Sequence, residues 1–136
     1  MKIIAFDWTT PAFLAGRKTR TRREWVPEYA ARFHQYEICQ AWNHSPRVRM
    51  RTPKKIGELQ IDQPIRYENN LGGMTEGDYE REGFAYLEEQ DPRATIWGKP
   101  IRKAFEDWMA MDRMYYVVDF HKLDLPPAKS REDMRA

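Results

Sequence analysis

One cysteine in 136 residues is too few for an internal disulfide. Core packing has to hold this chain together, and the lone thiol, Cys39, fits a reducing compartment, so a cytoplasmic location is expected. Long hydrophobic runs are missing as well. The early apolar stretch Ile3-Ile4-Ala5-Phe6 is interrupted at Asp7, which argues against a signal-peptide core, and nothing approaches the length of a membrane span. There is no phosphate loop and no dinucleotide fingerprint. His34, Cys39 and His44 are evenly spaced but match no metal-ligand pattern, so neither metal nor cofactor is expected. Repeats and low-complexity blocks are also absent.

What is present can fill a core. Hydrophobic residues make up 41% of the chain, including five Trp, seven Tyr and six Phe, enough for one domain of ordinary size. That domain is expected over residues 1–125, with 126–136 a polar, flexible tail. The net charge is only +2, but residues 1–68 hold 13 Lys/Arg against 7 Asp/Glu, and residues 69–136 hold 10 against 14. The basic half carries two clusters, residues 17–23 and the set Arg47, Arg49, Arg51, Lys54 and Lys55. Such asymmetry predicts one anion-attracting face.

The pattern predicts a strand over 2–6, then a helix over 11–15 with a Thr cap, Pro11 in its first turn and Phe13 and Leu14 inward. Gly16 ends that helix, and residues 20–25 read as extended. A short helix follows over 27–33, burying Tyr29, Ala30 and Phe33. Strands are expected over 35–42 and 56–67, the second disturbed by Gly57 and Pro64. After a turn at 69–73, Thr75 and Asp78 form a capping box that opens a helix to about residue 89. A third helix reaches about residue 112 with Ile101, Phe105, Trp108 and Met109 on one stripe. The last strand, 114–123, places Met114, Tyr116, Val118 and Phe120 on one face. This order lacks regular βα alternation and suits an α+β fold, a small mixed or antiparallel barrel flanked by helices.

The segment Arg17-Lys18-Thr19-Arg20-Thr21-Arg22-Arg23 is the chemical centre of the sequence. It can grip a polyanion, or it can set a lysine beside a hydroxyl nucleophile. In a strand, Thr19, Thr21 and Arg23 share one face and Arg20 and Arg22 the other, so a turn near Lys18-Thr19 is needed to bring Lys18 to Thr21. Neighbouring cations would lower the Lys18 pKa and fit it to act as a base toward a threonine. On the acidic helix, Glu82 shares a face with Asp78, Tyr79 and Tyr86, and a carboxylate between tyrosines would be partly desolvated. Trp25, Tyr29 and Trp42 could stack bases or pack in the core. Cys39 is expected to be a small buried thiol, and His121 a surface residue.

Gly16-Arg17-Lys18-Thr19-Arg20-Thr21-Arg22-Arg23 resembles the G-x-K-x-x-T-x-R signature of the ASCH domain family, a PUA-like barrel associated with RNA. Leu14 to Thr19, the stretch Met74-Thr75-Glu76 leading to Glu82, and the closing strand Tyr115 to Phe120 resemble bacterial N4-acetylcytidine amidohydrolases of that family. The resemblance implies Lys18, Thr21 and Glu82 as a catalytic set, without metal or cofactor. Gly16 and Arg23 fall on family positions. With Arg20, Trp25 and Tyr79 they make up the expected substrate-binding residues. The implied ligand is a modified nucleoside or RNA. The rival functions are a non-catalytic RNA-binding module and a ribonuclease acting on single-stranded RNA. Relative to the small amidohydrolases, residues 24–33 and 43–55 are insertions.

Overall fold

Strand β8 (Met114–Leu123) is the spine of the molecule. It is ten residues long in the computed structural model, which describes residues 1–47 and 52–124. Along one edge it pairs antiparallel with β2 (Arg20–Arg23), which sets Thr21 opposite Val118. Along the other edge it pairs first with β5 (Arg66–Asn69) and then with β4 (Lys55–Ile61). Those two strands form one expected run, broken around Pro64, which has no N–H for the ladder. β3 (Ile38–Trp42) adds antiparallel to β4, and β1 (Ile3–Ala5) adds parallel to β3.

The fold is therefore mixed α+β, as expected, but the sheet is open where a barrel was expected. The open edges are β1 and β2, short strands of three and four residues. No ladder joins them. The Arg23 guanidinium spans the gap instead and donates to the carbonyl of Ala5. The disturbance expected at Gly57 is a bulge: Ala41 faces Gly57 while Trp42 faces Lys55, so Ile56 is the extra residue.

Two apolar clusters flank β8. The first gathers Ile4, Phe6, Phe13, Phe33, Cys39, Leu59, Ile61, Val118 and Phe120. Phe6 and Phe13 stack at 4.6 Å and both meet Phe120. The second gathers Met74, Phe84, Ile96, Ile101, Ala104 and Phe105. It comes from α5 (Phe84–Gln90), α6 (Ile101–Met109) and the hairpin β6 (Thr95–Ile96) to β7 (Lys99–Pro100). Trp108 Nε1 donates to Tyr115 Oη at 3.1 Å and ties this cluster to β8. β8 is thus buried on both faces through Tyr115, Val117, Val118 and Phe120, not on one face as expected, and Met114 at its end is exposed.

Several local expectations change. Helix α1 (Thr10–Leu14) buries Phe13, but Leu14 is exposed because a helix this short offers the core only one face. Its Thr9 hydroxyl donates back to the carbonyl of Phe6 at 2.6 Å instead of capping. Helix α2 is shorter than expected (Pro27–Ala30); it buries Ala30, and Phe33 just beyond it, while Tyr29 is half-buried. β3 starts at Ile38 because Tyr36 adopts φ 69°. The expected helix from Thr75 to about residue 89 is two helices, α4 (Asp78–Arg81) and α5, broken at Gly83 with φ 100°. Only half of its capping box forms: Asp78 Oδ2 accepts from the Thr75 N–H at 2.8 Å. The turn after β5, labelled α3 (Asn70–Gly73), is kinked at Gly72 with φ 87°. The expected tail at 126–136 and two residues of the second basic cluster, Arg49 and Arg51, lie outside the described residues. Among the described residues no helix is long and apolar enough to cross a membrane.

Candidate functional site

Chain reversal at Gly16 starts the site. Its φ of 72° ends α1, while the amides of Arg17 and Lys18 turn back onto the carbonyl of Ala12. A left-handed conformation at this position favours glycine. Thr19 is then pinned from both sides. Its N–H donates to the carbonyl of Arg81, and its carbonyl accepts from the N–H of Phe120. The basic segment is therefore fixed against α4 and β8. The turn expected near Lys18 is present, displaced toward Gly16.

Lys18 and Glu82 meet in the interior, at 3% and 2% exposure. Lys18 Nζ donates to the carbonyl of Glu82 at 2.7 Å and to its Oε1 at 3.2 Å. Gly83 makes this double contact available, because ending α4 at Glu82 leaves that carbonyl without a helical partner. Arg22 Nη1 donates to Glu82 Oε2 at 2.6 Å and lies 3.2 Å from Asp78 Oδ1. Two cations and two carboxylates thus form a balanced buried cluster, the condition under which charge survives away from water. The Glu82 carboxylate is held by Lys18 and Arg22, not set between two tyrosines as expected. Arg22 Nε, also buried, has no acceptor among the described residues.

Burial pushes the Lys18 pKa down to about 8. The Glu82 charge opposes that shift, and the cations of Arg23 and Arg22 reinforce it. Desolvation thus outweighs the like-charge effect expected from the sequence. Burial also drives the Asp78 carboxyl upward, but the Thr75 N–H and the guanidinium groups of Arg22 and Arg20 outweigh it and hold that acid below its ordinary range.

Thr21 is 4% exposed, and its Oγ1 accepts from Arg23 Nε at 3.0 Å. Lys18, Thr21 and Glu82 line one cleft of about 180 Å³ together with Arg22 and Arg23. Among the described residues no hydrogen bond joins Lys18 to Thr21. The other wall is aromatic: Trp8, Phe84, Trp97 and Trp108. Trp97 stands edge-on to Trp8 and to Trp108, at 6.4 and 5.8 Å. Asp7, at the lip, places its Oδ1 2.9 Å from His44 Nδ1. Three described non-glycine residues have positive φ, and two of them, Asp7 (46°) and Trp97 (54°), line this cleft. Strained backbone tends to concentrate at functional sites.

The structure brings together four of the residues singled out by sequence: Lys18, Thr21, Glu82 and Arg23. It sets the other four outside the cleft. Gly16 acts through its turn, and lies by Thr19 and His121. Arg20 faces away, donating to Asp119 Oδ1 at 2.6 Å and to Asp78 Oδ1 at 2.8 Å. Trp25 stacks on Phe33 at 4.4 Å and lines a neighbouring groove. Tyr79 packs on Phe105 in the helical cluster and its hydroxyl donates to Glu88. The aromatic wall was missed by sequence reasoning. Its members sit on separate loops and helices, with no shared period to connect them. Cys39 is buried, as expected, and burial pushes its thiol up to about 11, which makes it inert. Among the described residues no group of three or more His, Cys, Asp or Glu side chains is placed to hold a metal ion.

No protein-family model matches the chain, and no curated protein matches it. Among solved structures, it is similar to protein EF3133 of Enterococcus faecalis, described by the family model DUF984. The two are 12% identical, the likeness covers 92% of this chain and 81% of the other, and the TM-score is 0.53. At that identity the likeness shows a shared fold.

Proposed function

We propose that the protein is a hydrolase that cleaves the N4-acyl amide of an acylated cytidine, with N4-acetylcytidine as first substrate. One observation carries the reading: Lys18 and Thr21, and Glu82 sixty-one residues further on, converge while buried on one aromatic-walled cleft. The resemblance of residues 16–23 to the ASCH signature supports Lys18 and Thr21, and the resemblance of the stretch from Met74 to Glu82 supports the third. A flat pyrimidine suits a cleft walled by indole rings, since stacking needs only an exposed π-face.

In the proposed reaction, neutral Lys18 takes the Thr21 hydroxyl proton as Oγ1 bonds to the acyl carbon. The Arg23 guanidinium, which touches Thr21 Oγ1 at 3.0 Å, supplies a cation beside the reacting carbonyl for the developing oxyanion. The C–N bond then breaks and the proton passes to the amine nitrogen, which releases cytidine. Water next attacks the acyl-threonine ester and loses its proton to Lys18 or Glu82. Acetate leaves, and Thr21 regains its hydroxyl hydrogen. Glu82 holds the Lys18 side chain in place through the cycle. A lysine with its pKa near 8 is a competent base close to neutral pH.

The test is acetate release from N4-acetylcytidine by the pure protein. Turnover should be present in wild type and fall by roughly 100-fold or more in Thr21→Ala, Lys18→Ala and Glu82→Gln. The rival functions predict otherwise. A non-catalytic RNA-binding module releases no acetate, and a ribonuclease releases none either but cuts unmodified RNA in a separate incubation.

A further inference from the structure

A second concavity adjoins the cleft, in the opening between β1 and β2 where the sheet fails to close. It has a volume of about 680 Å³. Ala5 and Arg23 line both spaces, so the groove and the cleft share one wall. The cleft, at about 180 Å³, is smaller than the roughly 300–1,000 Å³ of ordinary ligand pockets, and the groove falls inside that range. A ligand whose base fills the cleft has to place its remaining atoms elsewhere, and the groove is the adjoining space.

The charge of the groove says what those atoms are. Glu37, its acid, is in ion-pair contact with Lys2. Arg23, Arg32 and Arg47 have no carboxylate in ion-pair contact among the described residues. This contrasts with Arg17, Arg20, Arg22, Arg66, Arg102 and Arg113, each of which sits against an acid. Arg32 lies over the Tyr29 ring at 5.7 Å, and Tyr29 meets Trp25 edge-on at 5.3 Å. The groove therefore combines an excess of guanidinium groups with an aromatic side. Guanidinium groups match phosphate oxygens in geometry as well as charge.

We propose that this groove binds the phosphate of a nucleotide whose base occupies the inner cleft, which makes the ligand a nucleotide in preference to a free nucleoside. The proposal rests on the reading of the cleft as a cytidine site. Arg23 is the hinge of the arrangement, with one edge on Thr21 and its guanidinium reaching Ala5 at the groove. The phosphate can be terminal, or it can belong to a strand. Arg32 and Arg47 are exposed and lie away from the Lys18–Thr21–Glu82 set, so changing them leaves the chemistry untouched.

The experiment measures binding of cytidine, cytidine 5′-monophosphate and a cytidine-centred pentaribonucleotide to the full chain by tryptophan fluorescence. Wild type and the double variant Arg32→Glu/Arg47→Glu are compared. At low salt, a phosphate-bearing ligand should bind roughly ten-fold or more tighter than cytidine, and charge reversal should remove that advantage while cytidine binding is unchanged. A gain already complete with the monophosphate identifies a terminal phosphate, and a gain confined to the pentanucleotide identifies a strand. The wild-type advantage should also shrink as salt rises, a readout that needs no variant. Equal affinity for cytidine and both phosphorylated ligands, or an advantage that survives charge reversal, overturns the proposal. Acetate release from free N4-acetylcytidine is measured in parallel. Loss of the phosphate advantage in a variant that still turns over the free nucleoside supports groove and amidase together. A phosphate advantage without any turnover keeps the groove and removes the amidase.

Discussion

Thr21 is the residue on which chemistry and structure separate most cleanly. It is buried but small, and its hydroxyl accepts a hydrogen bond from Arg23. Thr21→Ala should therefore abolish acyl transfer with a stability change of about 1–2 kcal/mol. Lys18→Ala is different, because it removes one of the two cations that hold the buried Glu82 carboxylate. Removing one partner of a buried pair costs about 3–5 kcal/mol, so a thermal melt of that variant should fall well below that of Thr21→Ala. The Lys18 ammonium also fixes a pH signature. Its folded pKa, about 8, lies below the ordinary lysine value. Between those two values the unfolded chain binds the proton and the folded chain does not. The Lys18 contribution to stability therefore rises with pH across that window, and the cost of burying the charge is fully present below it. For catalysis, kcat/KM should climb about ten-fold per pH unit below pH 8 and level off above it. A flat profile from pH 6 to 9 would contradict a lysine base.

At the scale of elements, the break between α4 and α5 matters more than either helix. Gly83 sits at φ 100°, and a Cβ there would come within 3.1 Å of the Ala12 Cβ on α1. Gly83→Ala should cost about 1–3 kcal/mol in a denaturant titration and should lower activity, because the carbonyl and carboxylate of Glu82 both depend on that reversal. An activity equal to wild type would show that the Glu82 position tolerates a shifted helix end. This break was hard to read from the sequence. A lone glycine inside a helical pattern is tolerated at about 1 kcal/mol, and the run Asp78 to Gln90 otherwise looks continuous. β8 was legible to the residue, since its ten positions are rich in aromatic and β-branched side chains. Its second buried face was not, because that depends on α6 and Trp108, which the strand's own sequence does not mention. Lys18, Thr21 and Glu82, which share one cleft, were singled out through motif resemblance. Asp7, Trp8, Trp97 and Trp108 were not, because only the packing of distant loops brings them to one cleft.

At the scale of the whole molecule, the open edge and the buried charge cluster set the behaviour. Barrel closure was expected from the order of the elements and from the resemblance, but the order of strands along the chain does not determine whether the first and last edges meet. Here a three-residue and a four-residue strand leave room for Arg23 between them. The acids that hold the interior should govern acid stability. For Asp119, burial pushes the carboxyl up, but Arg20 and Arg66 outweigh it and hold the acid below its ordinary value; Asp78 behaves alike. A depressed carboxyl contributes stability above its unfolded pKa and loses it as pH falls through the folded one. Melting temperature should therefore drop progressively below about pH 4, and Asp119→Asn should lower it at neutral pH while flattening that acid slope. A variant with the wild-type slope would place acid sensitivity elsewhere. The account as a whole turns on whether the cleft performs acyl transfer. The most direct measurement incubates N4-acetylcytidine with wild-type protein and with Thr21→Ala and follows acetate. The account predicts steady release by wild type and a loss of roughly 100-fold or more in a variant that melts close to wild type. Absence of release by wild type, or equal release by both, would contradict it.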